Sequence, residues 1–129
     1  MNGTGPIAPE LPEKKQLRKH QRIRYSSEFQ RVKDQGRRWV HGCLIANWQK
    51  VQKRPFSRLG VITSRKIGKA HVRNRARRLM RESYRHMQHQ LIAPIDLILV
   101  ARKSIATMKQ QQVERDLQSI LKRHHLLVD

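Results

Sequence analysis

Acidic residues are scarce in this chain: 9 Asp plus Glu stand against 29 Lys plus Arg in 129 residues, a formal net charge of +20. A chain so charged repels itself when folded, so a polyanionic partner is expected to stabilise it. Nucleic acid is the first candidate for that partner, and an anionic membrane surface is the competitor. The few acids do not gather in the sequence as a two-metal nuclease site requires, and Glu114 and Asp116, two apart on a helix, point to different sides. No catalytic residue and no metal ligand set is therefore expected in the chain. Seven histidines leave a metal-free acid–base pair open, with nothing in their spacing to support it. His86 and His89 have a spacing that would suit a metal, but they read as surface residues. Cysteine is nearly absent, and the lone Cys43 excludes an internal disulfide and reads as a small buried side chain in an apolar run. No apolar run approaches the roughly 18 residues of a membrane span and no apolar signal segment opens the chain, so a cytoplasmic protein is expected.

What the chain has in abundance is concentrated between Ser64 and Arg85, SRKIGKAHVRNRARRLMRESYR, where the cations face a single acid, Glu82. On a helical period Val72, Ala76, Leu79, Met80, Ser83, Tyr84 and Met87 fall on one side and the arginines take the rest. Arg73, Arg77, Arg81 and Arg85 follow at a spacing of four, which costs an isolated helix roughly 0.2 to 0.5 kcal/mol per pair. A polyanion offsets that cost. The preceding loop, Arg65 to Lys69 with Gly68 as its turn, brings cations and backbone amides to the helix N-terminus, where the dipole favours phosphate. Arginine outnumbers lysine in the helix, as planar bidentate phosphate contacts require.

The rest of the chain frames this element. Residues 1–16, rich in Gly and Pro, are expected to be a disordered tail, and 17–127 one domain. The cation-dense run Leu17 to Arg24 is open between an ordered lead-in and a basic arm. Ser26 is expected to cap a short helix that presents Phe29 and Val32 and stops at Gly36. Trp39 to Trp48 is expected to form one strand with a break or bulge near Gly42, its two tryptophans lying in the core or at its rim. Arg58 to Ser64 reads as a buried strand and Ile95 to Ala101 as a central one. Thr107 is expected to cap a last helix carrying Val113, Leu117, Ile120, Leu121 and His124. Strands interleaved with helices argue for an α+β sandwich with one sheet.

The run RLGVITSRKIGKAHVRNRARRLMRES, with the later strand ending in Ala101-Arg102-Lys103, closely resembles the protein subunit of bacterial ribonuclease P. Its sharpest part is Arg73-Asn74-Arg75, framed by Lys66 and Gly68 before it and by Arg78, Leu79, Arg81 and Glu82 after it. The resemblance implies a four-stranded sheet with three helices in the order α-β-β-β-α-β-α, similar to a domain of ribosomal proteins, with a left-handed crossover. It implies that the chain assists a catalytic RNA, which uses magnesium held mainly by that RNA to remove the 5′ leader from precursor tRNA. The implied RNA-binding set is Arg65, Lys66, Lys69, Arg73, Asn74, Arg75, Arg77, Arg78 and Arg81. The implied leader-binding cleft contains Phe29, Lys33 and Asn47; Lys33 stands where the commoner family pattern has a second aromatic. On sequence alone Phe29 is open between a stacking platform and a core residue. No membrane and no obligate protein partner is expected. Two rival functions share the composition: a structural RNA-binding protein of the ribosomal type, and a nonspecific DNA-coating protein.

Overall fold

A computed structural model describes residues 21–128. The expected disordered tail and the first part of the basic lead-in lie outside the described residues. Three helices and four strands follow one another as α1 (Ser26–Gln35), β1 (Arg37–His41), β2 (Leu44–Lys50), β3 (Arg58–Ile62), α2 (Ala70–Met87), β4 (Ile95–Ala101) and α3 (Gln110–Arg123). The strands form one mixed sheet in the order β1-β2-β4-β3, with β3 parallel to β4 and the other pairs antiparallel. The most apolar strand, β4, is interior, as its sequence requires.

The stretch Trp39 to Trp48 is a hairpin, which corrects the expectation of a single bulged strand. His41 pairs with Leu44 across the two-residue turn Gly42-Cys43. Gly42 has φ 58° at the first central position, as a type II′ turn requires. The Asp116 carboxylate packs against this glycine and accepts the Cys43 N–H at 2.9 Å. Thr107 does not cap α3 either. It ends a 3-10 turn, Lys103–Thr107, and the helix starts three residues later at Gln110, behind the N-cap Lys109, whose N–H is accepted by the Gln112 side chain at 2.8 Å. At the start of α1 the N-cap is Tyr25, not Ser26.

The two faces of the sheet are used differently. On one face Leu44, Ala46, Trp48, Leu59, Leu97 and Leu99 meet the apolar stripes of α2 and α3 in the main core. Ala76, Leu79, Met80, Ser83, Tyr84 and Met87 are buried there, as the 3.6-residue period predicts. Among the described residues the opposite face carries α1 and the lead-in at Ile23, which seal a small cluster of Ile23, Val32 and Ile98. A ten-residue helix is too short to cover a four-stranded sheet, and this mismatch leaves part of that face open.

Candidate nucleic-acid interface

The cations expected to meet RNA stand on the outer side of α2 and in the loop before it. Arg65, Lys66 and Lys69 are exposed, as are Asn74, Arg78 and Arg81. Others of the set are tied back to the protein. Arg73 donates from Nη1 to the Gly68 carbonyl at 2.9 Å, and Arg75 from Nη2 to the Met108 carbonyl at 2.6 Å. Arg77 donates to Thr63 Oγ1 at 2.6 Å and also reaches Asn74 Oδ1. Arg73 and Arg75 are thus half-buried struts that lock the helix to the loop before it and to the turn before α3, while Asn74 between them faces outward.

Few acids balance these charges. Each of the six described acids is engaged elsewhere: Glu28 and Asp96 with arginines of the sheet, Asp34 with Gln30, Glu82 with Arg85, Glu114 with His86, and Asp116 with the hairpin turn. Partial loss of water around the base of its side chain, then the like charges of Arg22 and Arg77, depress Arg81 below its ordinary pKa although the residue is exposed. Arg22 belongs to the part of the basic lead-in that lies within the described residues: it bridges to Leu59 along β3, and Ile23 donates its N–H to the Leu59 carbonyl at 2.9 Å. This segment carries positive charge from α2 around the β3 edge toward α1. Sequence reading left its role open because a single backbone bridge, with no hydrophobic period, sets it.

The register sorts the α1 face of the sheet into three rows. Gln49, Asp96 and Arg58 pair in the first. Here Asp96, 0% exposed, accepts Arg58 and Arg54 and also Arg31 from α1, at 2.6 to 3.1 Å. Arg38, Asn47, Ile98 and Gly60 form the second row, beneath α1. Gly60 is required there: a Cβ would come within 2.7 Å of the Phe29 ring. Val40, Ile45, Val100 and Ile62, one residue from each strand, form the third row. α1 leaves this aliphatic strip open; Val40 is 37% exposed and the other three are half-buried.

The strip and the flank of α1 make a groove. Phe29 is half-buried against the second cluster, with the rest of its ring on the flank of α1 beside the strip. Lys33, one turn on, is exposed on the same flank. Asn47 lies on the groove's face of the sheet but is only 4% exposed, so it offers a ligand little surface. The loop from Thr63 to Lys66 leaves β3 at the strip's end, so the groove opens beside the arginine face.

A protein-family model described as Ribonuclease P matches residues 17–125. The chain belongs to the ribonuclease P protein family. Membership implies a protein component of that endoribonuclease complex, with a role in tRNA processing and an RNA partner. Among its relatives is a Bacillus cereus ribonuclease P protein component, 31% identical over 107 residues that span 83% of this chain and 93% of that one. A Bacillus mycoides ribonuclease P protein component is 31% identical over the same shares. A Staphylococcus aureus RNase P protein mutant with defective mRNA degradation activity superposes with a TM-score of 0.78 at 26% identity, covering 84% of this chain and 92% of that one. The Thermotoga maritima RNase P protein superposes with a TM-score of 0.71 at 26% identity, covering 79% and 96%. The family fold thus accounts for the three helices and the mixed sheet seen here.

Proposed function

We propose that this chain acts in the cytoplasm as the non-catalytic subunit of ribonuclease P, holding the catalytic RNA on α2 and the 5′ leader of precursor tRNA in the groove beside α1. The observation that carries this reading is the position of the groove mouth. The half-covered face of the sheet opens where β3 runs into Thr63, Ser64 and Arg65, beside the cation face of α2. One RNA held on the helix and a single strand entering the groove can therefore meet at the cleavage point.

In this reading Arg65, Lys66, Lys69, Asn74, Arg78 and Arg81 contact phosphates of the catalytic RNA directly. Arg73, Arg75 and Arg77 hold the helix and loop in place and add their charge. The groove holds the leader against Phe29 and the aliphatic strip, contacts that a mature tRNA lacks, and so raises affinity for precursor over product. Magnesium would supply the activated water and the charge that stabilises the leaving oxygen, and in this reading it would be held mainly by the RNA. The described residues gather no group of three or more His, Cys, Asp or Glu fit to hold such an ion. The chain's contribution is to lower phosphate repulsion around it.

The test is cleavage of a labelled precursor tRNA by the protein alone, by a bacterial ribonuclease P RNA alone, and by both together at low magnesium. Cleavage at the mature 5′ end only with both supports the proposal. Cleavage by the protein alone overturns it. Affinity should also fall steeply with salt, because several phosphates are neutralised.

A further inference from the structure

The open strip is aliphatic along its whole length, from Ile62 on β3 through Val100 and Ile45 to Val40 on β1. Its end at β3 meets the basic loop Arg65–Ile67. Its end at β1 meets two further cations: Lys33, in the last turn of α1, and Arg38, the second residue of β1. Both are exposed, and neither has a carboxylate partner among the described residues. Asp34, beside Lys33 in sequence, is bonded to Gln30 at 2.8 Å. A groove with an apolar floor and positive charge at both mouths fits a chain whose bases lie inward while its phosphates run out to either end.

Resting on the leader reading above, we propose that the leader crosses the sheet from β3 toward β1 and that Lys33 and Arg38 form a clamp for its distal phosphates. Three features support the clamp. Phe29 and Lys33 stand one helical turn apart on the same flank, so Lys33 lies about 6 Å further along the groove. Phe29 sits over Gly60 on β3, which fixes the direction of that step as away from β3. The helix then ends at Gly36, whose backbone lies against the Trp48 carbonyl, and the chain turns directly into β1. Lys33 and Arg38 are thereby brought to the same end of the groove from two different elements.

The consequence is a division of labour along the groove. Near β3 a single aromatic and the aliphatic floor take the first leader nucleotides by contact. At the β1 end no aromatic among the described residues faces the groove, since Trp39 and Trp48 point into the opposite face of the sheet. Distal nucleotides are held by charge, without regard to base. This assigns Arg38 a role that no motif points to, and it gives Lys33 a phosphate contact in place of stacking.

The experiment uses the chain reconstituted with a ribonuclease P RNA and precursor tRNAs whose leaders lengthen one nucleotide at a time. Affinity is measured over a range of salt for the natural chain, Phe29→Ala, the double variant Lys33→Gln with Arg38→Gln, and the charge-keeping double variant Lys33→Arg with Arg38→Lys. Thermal unfolding of each variant checks the fold. The clamp predicts that the neutral double variant loses the gain from distal nucleotides, its long-to-short affinity ratio falling about threefold or more. The slope of log affinity against log salt for long leaders should fall by about 0.7 for each phosphate contact removed. The charge-keeping variant should retain both. If Phe29→Ala loses leader affinity while the neutral double variant keeps its ratio and slope, the groove holds the leader and the clamp is wrong. If the natural chain itself gains nothing from any leader, the groove reading falls and the clamp with it.

Discussion

Arg58 grips Asp96 through two parallel hydrogen bonds, Nε to Oδ1 at 3.1 Å and Nη2 to Oδ2 at 2.9 Å. Arg54 and Arg31 complete the set at 2.7 and 2.6 Å, so this fully buried carboxylate ties β3, β4, α1 and the loop after β2 together. Burial alone pushes its pKa up, but the hydrogen bonds and charges of Arg58 and Arg54 outweigh that and hold it below the ordinary carboxylate value. A folded pKa below the unfolded one gives stability that is complete above the unfolded value and lost as pH falls through the folded one. Asp96→Asn strands the guanidinium groups around a neutral amide and should cost about 3 to 5 kcal/mol. Urea unfolding between about pH 7 and pH 3 should show the natural chain losing stability into acid and the variant losing less of it. A variant as stable as the natural chain, with the same acid limb, would show that the network contributes nothing to the fold.

Gly60 supports Phe29 from below. Adding a Cβ at Gly60 places it 2.7 Å from the ring, too close for both to stay. Gly60→Ala should tilt Phe29 outward and cost about 1 to 3 kcal/mol. If Phe29 walls the leader groove, the variant should also lose part of the preference for precursor over mature tRNA, read by competition binding. Loss of stability with the preference intact would confine Phe29 to the core.

Much of the fold was legible in local pattern, because the stripe from Ala76 to Met87 and the apolar run Ile95 to Ala101 carry their periods in sequence. What was not legible depends on partners far away. The Gly42-Cys43 turn is held by Asp116, 73 residues on, and a strand with a bulge reads the same as a hairpin until that contact is known. Asp96 gathers arginines 38, 42 and 65 residues away, and no spacing announces them. Thr107 misled because a hydroxyl favours N-caps, yet at Lys109 the reciprocal Gln112 side chain served instead. The cation helix was plain in sequence; the division of its arginines between struts and exposed groups was not, since acceptors such as the Met108 carbonyl lie outside the motif. The aliphatic strip appears only once strand register puts Val40, Ile45, Val100 and Ile62 in line.

His124 closes α3 between two tryptophans, its ring 5.0 Å from Trp39 and 4.6 Å from Trp48 by centroids. Burial, then the charges of Arg37, Arg123 and His125, hold it below the ordinary imidazole pKa. The unfolded chain therefore takes up the proton first, and stability that is complete above the ordinary value is lost as pH falls through that range. His124→Phe keeps a ring in the slot and removes the titration. Its thermal midpoint should vary less than the natural chain's between about pH 7 and pH 5. An identical pH dependence in the two proteins would mean that His124 titrates as it does in the unfolded chain.

Asn74 and its two neighbours make different demands on any test of the arginine face. Arg73 and Arg75 donate to backbone carbonyls at 2.9 and 2.6 Å, so replacing either by Ala should cost about 0.5 to 1.5 kcal/mol of stability before any RNA is added. Lost RNA binding in such variants mixes two causes. Arg78 is exposed and has no acid partner among the described residues, so its removal acts on the surface alone. Arg78→Gln should shift unfolding by less than about 0.5 kcal/mol. Its affinity for the catalytic RNA should fall, with the salt slope lowered by about 0.7 to 0.9 if one phosphate contact is lost. Arg75→Lys separates the two roles of its position: it keeps the charge but not the planar donor pair. If it binds RNA as tightly as the natural chain yet unfolds earlier, Arg75 is a strut; if it folds normally and binds weakly, the guanidinium itself meets the RNA.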